Sequence, residues 1–214
     1  MSKKSLAGIF LATLMIGALV GGIANPFIVA KGQTYTKAQV DFKMEWRRLW
    51  ADHVMYTRMF IVETAANISN DATVARLLRN QEDIGNEIKP YYGDAAGNQL
   101  TALLKQHIVI AADVVHAAKA GNSTALDAAN KQWFANADQI ALFLSQANPT
   151  YWPESAVKSM LYEHLNLTTA EAVARLHGDW TTDIQTYDKV VTQAMMMAQA
   201  LADGIIGQFP GMFC

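Results

Sequence analysis

Leu49-Trp50-Ala51-Asp52-His53-Val54 returns twice in close variation, as Leu103-Leu104-Lys105-Gln106-His107-Ile108 and Met160-Leu161-Tyr162-Glu163-His164-Leu165. Each version has two apolar residues, two that are mostly polar, a histidine and an aliphatic residue. An apolar residue (Trp46, Leu100 or Val157) stands seven positions before each histidine. Seven positions are two helical turns, so each stretch reads as one face of a helix with its histidine turned inward. A repeated inward histidine decides the fold class: helices in series, built from a recurring unit.

Outward from that stretch the chain reads as helix after helix, with no competing strand pattern. Helix A, about 44 to 68, aligns Trp46, Leu49, Trp50, His53, Thr57, Phe60, Thr64 and Ile68 on one face, with Arg47, Arg48 and Arg58 off it. Asn70 or Asp71 can cap helix B, about 72 to 89, which turns in Val74, Leu77, Leu78, Gln81, Ile84, Gly85 and Ile88 and ends at Pro90. Helix C, about 95 to 119, turns in Leu100, Leu103, Leu104, His107 and Val114. Helix D, about 123 to 146, turns in Leu126, Trp133, Asn136, Ala137 and Ile140. Pro153 opens a short helix E, about 153 to 165. Thr168-Thr169-Ala170-Glu171 reads as a capping box for helix F, 169 to about 207, whose inner face carries Val173, Leu176, His177, Trp180 and Ile184.

The helices pair into three hairpins, A-B, C-D and E-F, the third with a truncated first helix. Asn80 superimposes on Asn136, and Val74-Ala75-Arg76-Leu77 returns as Val173-Ala174-Arg175-Leu176. The expected architecture is all-α: an up-and-down bundle of four main helices plus an additional pair, with a hydrophobic helix at the N-terminus.

That helix is the 20-residue run Ser5 to Ala24, uncharged after Lys3 and Lys4 and long enough to span a bilayer. Two readings compete. A signal peptide would be cleaved near Gly22-Ile23-Ala24, whereas a membrane anchor would keep Lys3 and Lys4 in the cytoplasm. Either makes the remainder extracytoplasmic, secreted or held at the membrane. The division is 1–30 signal or anchor, 31–43 linker and 44–214 helical bundle. Cys214 is the sole cysteine in 214 residues, so no internal disulfide supports the fold; it is free or links two chains. A formal charge of -2 with no long basic run argues against nucleic acid as a partner. The membrane, a protein partner and a second copy of the chain remain.

The candidate ligand-binding residues are His53, Asn80, Gln81, His107, Asn136, His164, His177 and Asp183. A buried imidazole needs a partner to fix its tautomer, and a metal-bound one needs the same partner behind it. Asn80, Asn136, Asp183 and Asp188 lie where such partners would stand. His53, His107 and His164 are the candidate metal ligands, for zinc, copper or iron. The alternative is a structural histidine, repeated, with each copy bonded to its own neighbour. Asp52 and Glu163 point about 100° away from their histidines. Met195-Met196-Met197 suits core filling, since consecutive helical residues cannot form one copper site. Di-iron Glu-x-x-His pairs, P-loops, G-x-S-x-G and H-E-x-x-H are absent. The function expected is therefore binding or accessory work, with a metal-dependent enzyme using the same histidines as the alternative.

The run Arg76 to Asn86, with Lys89-Pro90-Tyr91-Tyr92-Gly93, His107, Asn136-Ala137-Asp138 and Gly204 to Pro210, resembles a family of small uncharacterised prokaryotic proteins. The similarity covers about residues 46 to 210 and implies a short exported helical protein. Some members carry a glycosyltransferase label, but this sequence has neither alternating strands and helices nor an Asp-x-Asp motif. The resemblance implies no catalytic residues.

Overall fold

Thr36 starts the first helix. Its hydroxyl accepts from the Gln39 N–H while the Gln39 side chain accepts from the Thr36 N–H, so both orphan donors are satisfied as in a capping box. Helix α1 (Lys37–Ala66) therefore absorbs residues 37–43, read above as linker, and ends at Asn67 in the left-handed conformation, leaving Ile68 exposed and outside the helix. The computed structural model describes residues 34–214. The signal or anchor expected over residues 1–30, with its hydrophobic helix, lies outside the described residues.

α1 is followed by α2 (Asp71–Lys119), α3 (Ser123–Ala147), α4 (Glu154–Leu176), α5 (Trp180–Gln208) and a 3-10 turn at Pro210–Phe213; the described residues contain no strand. α2 is two rods. Pro90 does not end the first; the chain reverses at Gly93, whose φ of 83° and ψ of 167° suit glycine alone. The arms 71–92 and 94–119 then lie back to back, and a Cβ on either Gly85 or Gly97 would stand 2.6 Å from the other's carbonyl oxygen. Two arms plus four helices make six rods. Each packs on the next and α5 returns to α1, so the bundle closes.

The last hairpin differs from expectation. Thr168 and Glu171 cap nothing; they lie inside α4, which runs on to Leu176. The break falls at His177 to Asp179, where Gly178 takes a φ of 74° and the Asp179 side chain accepts from the Thr182 N–H to start α5. The third hairpin is full length. Val173, Trp180 and Ile184, assigned inward on the misplaced helix, are exposed.

One end of the bundle is sealed. Phe42, Tyr91 and Phe213 pack with ring centroids 5.0 to 5.5 Å apart, and the Thr36 hydroxyl donates to the Phe213 carbonyl at 2.6 Å. Trp152 fills the space that Gly204 leaves beside it. α2 and α5 are long and apolar enough to cross a membrane, but much of each apolar stretch faces the core. Of the three consecutive methionines, Met197 is buried and Met196 exposed, as core filling requires.

Candidate functional site

The three repeated histidines meet at one level of the bundle, and each is held the same way. His53 Nδ1 faces Gln81 at 3.2 Å, His107 Nδ1 faces Asn136 at 2.9 Å, and His164 Nδ1 faces Gln193 at 3.2 Å. In each hairpin an amide of the second rod also donates to the carbonyl four residues before the histidine: Asn80 to Leu49, Asn136 to Leu103, and Gln193 to Met160. Hairpins 94–147 and 154–208 do both jobs with one side chain. Hairpin 37–92 divides them between Asn80 and Gln81.

These bonds fix the tautomers. Trp133 Nε1 donates to His107 Nε2 at 3.0 Å, so the His107 proton sits on Nδ1 and is given to Asn136 Oδ1. Gln193 spends its NH2 on Met160, so its oxygen accepts from His164 Nδ1–H. Gln81 presents its NH2 to His53, also donating to Leu77 O at 2.8 Å, which places the His53 proton on Nε2. The Gln81 oxygen is left without a partner.

All three imidazoles are buried, and the His53 and His164 rings lie 5.7 Å apart. Burial, with repulsion from the neighbouring imidazoles, pushes His53 well below the usual range and His107 down to about 3; burial alone drives His164 down to about 4. At neutral pH the layer is uncharged. Among the described residues no group of three or more His, Cys, Asp or Glu side chains is arranged to hold a metal ion. Every Nδ1 is turned to an amide, and both nitrogens of His107 are taken. A three-histidine centre would require breaking the Trp133 bond and turning that ring.

The two sides of this layer differ because the side chains around the bundle axis differ. Seven positions before the histidines stand Trp46, Leu100 and Val157, and three before stand Trp50, Leu104 and Leu161, all buried. They leave a void of about 30 Å³. Four positions after stand Thr57, Ala111 and Thr168, which are small. Beyond them opens a cavity of about 270 Å³ walled by Phe60, Ile61, Leu77, Val115, Trp133 and Ala172. Thr57 donates to the His53 carbonyl at 2.8 Å, and Asn70 donates to Thr64 Oγ1 at 2.8 Å. His116, off the inner faces as expected, sits at the cavity mouth with its ring edge-on to Phe60.

Beside the cavity lies a charged cluster. Arg58 meets both oxygens of fully buried Asp183 and one oxygen of Glu171 at 2.9 Å, and Arg175 meets Asp183 at 3.2 Å. Tyr187 and Trp180 cover the two guanidinium groups at 5.2 and 4.8 Å. Burial pulls the Asp183 carboxyl up, but its two arginines outweigh that and hold it below the usual range. Glu171 shares one nitrogen of an arginine already committed to Asp183, so burial dominates and raises it to about 7. The cluster ties the start of α5 to α1 and α4.

Of the candidates read from sequence, His53, Asn80, Gln81, His107, Asn136 and His164 converge. His177 does not: it is the exposed C-cap residue of α4. Asp183 is buried but bonds arginines, not a histidine, and Asp188 is exposed. Gln193 was missed, as was the inward reach of Arg58. The signal for Gln193 was there: histidine and amide are separated by 28, 29 and 29 residues in the three hairpins. Asp52 pairs with Arg48 and Arg76 on the flank and Glu163 is exposed, as face arithmetic required. No protein-family model, no curated protein and no solved structure matches the chain.

Proposed function

We propose that this is an extracytoplasmic binding protein, secreted or held at the membrane by residues 5–24. Its domain, built from three repeated hairpins, takes a small, largely apolar molecule in the cavity beyond the histidine layer. The supporting observation is the contrast across that layer. The same core is filled to a residue of about 30 Å³ on one side and left open by about 270 Å³ on the other. Protein interiors pack to crystal-like density. The pocket opens at a mouth where Asp113 and His116 are exposed, so its apolar walls meet water that a small apolar guest would displace, and leucine for Ala111 would fill part of the space.

In this reading the histidines set the floor and the register of the rods, and the protein acts by binding rather than by turnover. Export is supported by the uncharged run from Ser5 to Ala24 behind Lys3 and Lys4. The test is a thermal melt of the purified protein with and without naphthalene near saturation. Naphthalene is expected to raise the Tm of the wild type by several degrees through mass action. In Ala111→Leu, itself more stable, the increment disappears. An equal increment in both proteins sinks the assignment to this cavity.

A further inference from the structure

The two ends of the bundle differ in charge. Where the chain enters α1 at Thr36, three other stretches close the end, and Pro90 to Gly93, Gln139 to Pro153 and Gly204 to Cys214 carry no charged side chain. They are locked to one another. The Tyr92 hydroxyl donates to Gln208 Oε1 at 2.6 Å, Asn148 Nδ2 donates to the Gly204 carbonyl at 2.9 Å, and the Tyr92 and Phe209 rings meet edge to face at 5.3 Å. Tyr151 is 42% and Met212 53% exposed there, and Pro90, Pro149 and Pro210 are exposed as well. Lys37 and Asp41 pair with each other, and Lys89, Asp94 and Glu154 stand next to the uncharged stretches in sequence. The opposite end has charge at every turn: Asp71 follows the first, Lys119 precedes the second, and Arg175 and Asp179 enclose the third, where Trp180 covers the Arg175 guanidinium.

We propose that this uncharged end docks on the surface of a lipid bilayer, with Tyr151 and Met212 at the boundary between headgroups and acyl chains. This rests on the reading that residues 5–24 hold the chain at a membrane, and adds the face that meets it. The path of the chain favours this end: eleven residues, Asn25 to Tyr35, follow Ala24 before Thr36, whose hydroxyl is fixed to the Phe213 carbonyl at 2.6 Å. The side chains favour lipid. Tyrosine sets an apolar ring and a polar hydroxyl at the level where headgroups meet hydrocarbon, and unbranched methionine adapts to an irregular apolar surface. Charged side chains would be costly at that depth, and the three stretches have none. Docking a turn also strips water from its N–H groups, which is unfavourable. Pro90, Pro149, Pro153 and Pro210, four of the chain's five prolines, have no N–H to strip. Lipid charge is not required, because Lys89 is outnumbered by Asp94 and Glu154.

The experiment reconstitutes the full chain into phosphatidylcholine vesicles, with and without a lipid carrying a nitroxide just below its headgroup. Cys214, the sole cysteine and exposed at this end, takes a polarity-sensitive dye without any substitution. A second protein, Cys214→Ser with Ser123→Cys, carries the dye at the other end, about 45 Å away along the 30 residues of α1. The Cys214 dye is expected to shift to the blue and to lose about two-thirds of its emission to the nitroxide, as a group at interfacial depth does; the dye at position 123 does neither. Gly211→Glu with Met212→Glu places two charges on the docking face. No atom lies within 4 Å of a Cβ added at Gly211, so the fold is kept, as an unchanged circular dichroism melt checks, and quenching at Cys214 is lost. Quenching that survives the two glutamates, or is equal at both dye positions, overturns the assignment of this face. A blue shift without quenching means that protein, such as a second copy, covers the end, and overturns it too. A chain that stays with the vesicles through a high-salt wash while its Cys214 dye remains in water sinks the docking and leaves the anchor standing. A chain washed off the vesicles sinks both.

Discussion

Lowering the pH from 6.5 to 5 sets two buried elements of this bundle against each other. A histidine in the unfolded chain takes up its proton near pH 6.5. In the folded chain His107 and His164 do so only near 3 and 4, and His53 also well below its usual value. Between those limits the unfolded chain binds more protons, so stability falls as the pH falls. Glu171 runs the other way. Its folded value of about 7 lies above that of a free carboxyl, so the folded chain holds the extra proton. The stability this gives is full below about pH 4.5 and is lost as the pH rises through about 7.

One proton of difference amounts to 1.36 kcal/mol per pH unit when fully developed, and about 1 kcal/mol per unit across this partly developed window. Three histidines against Glu171 leave a net loss of about 2 kcal/mol per pH unit. Glu87, also raised to about 7 but only half-buried, trims this further. Two variants separate the terms. His164→Asn keeps a donor toward Gln193 and removes one titrating site, so its slope flattens by about 1 kcal/mol per unit; Glu171→Gln keeps an acceptor for Arg58 and steepens the slope by a similar amount. Urea unfolding at pH 7, 6 and 5, followed by far-UV circular dichroism and extrapolated to water, gives the three slopes. Coincident slopes for wild type and both variants would refute the reading of the histidines as buried and neutral and of Glu171 as buried and protonated.

Other expectations are tied to single contacts. Trp133→Phe preserves the ring but strands His107 Nε2 without its donor, and is expected to cost about 1–3 kcal/mol in urea unfolding. An unchanged midpoint would mean that the Trp133 bond does not hold the imidazole. Asp183→Asn leaves Arg58 and Arg175 facing each other and is expected to lose about 3–5 kcal/mol; a loss within about 0.5 kcal/mol, the range of ordinary surface changes, would show the cluster to be solvated. Gly85→Ala places a methyl group 2.6 Å from the Gly97 carbonyl oxygen where the arms of α2 touch, so a fall of several degrees in Tm is expected; an unaltered Tm would contradict the close crossing.

Helix content and the inward histidines were legible because both depend on local periodicity. Trp46, Leu49, Trp50 and His53 had to share a face whatever the rest of the chain did. The boundaries that failed were those where a local signal had a second use. Thr168 and Glu171 have the spacing of a capping box, yet the four-residue turn that fits the chain there is simply another turn of α4, with Glu171 taken by Arg58 from a helix more than a hundred residues away. Gly178 and Asp179 were the true punctuation, a left-handed glycine followed by a capping aspartate. Moving that boundary moved the frame of α5, which exposed His177 and Ile184 and brought Gln193 to His164. Arg58 was unreadable for another reason: a long side chain off the apolar face still reaches inward when two buried carboxylates stand across from it.

The histidine layer explains how a bundle of six rods keeps one register. In each hairpin the second rod bonds the imidazole through an amide and grips the first rod's backbone four residues before it, with one side chain in the second and third hairpins and with Gln81 and Asn80 in the first, so sliding the rods by a residue breaks two bonds in a dry core, where an unmade bond is expensive. A group so committed is poorly suited to catalysis. Pushed down to about 3 or 4, His107 and His164 are weak bases, and His107 has no nitrogen to offer. What the layer does create is a rigid floor. Above it the inward residues change from tryptophan, leucine and valine to threonine and alanine, and a core left with only about 30 Å³ empty on one side is left with about 270 Å³ on the other. The small residues Thr57, Ala111 and Thr168 at these three related positions are what leave the space that the proposed binding function would use.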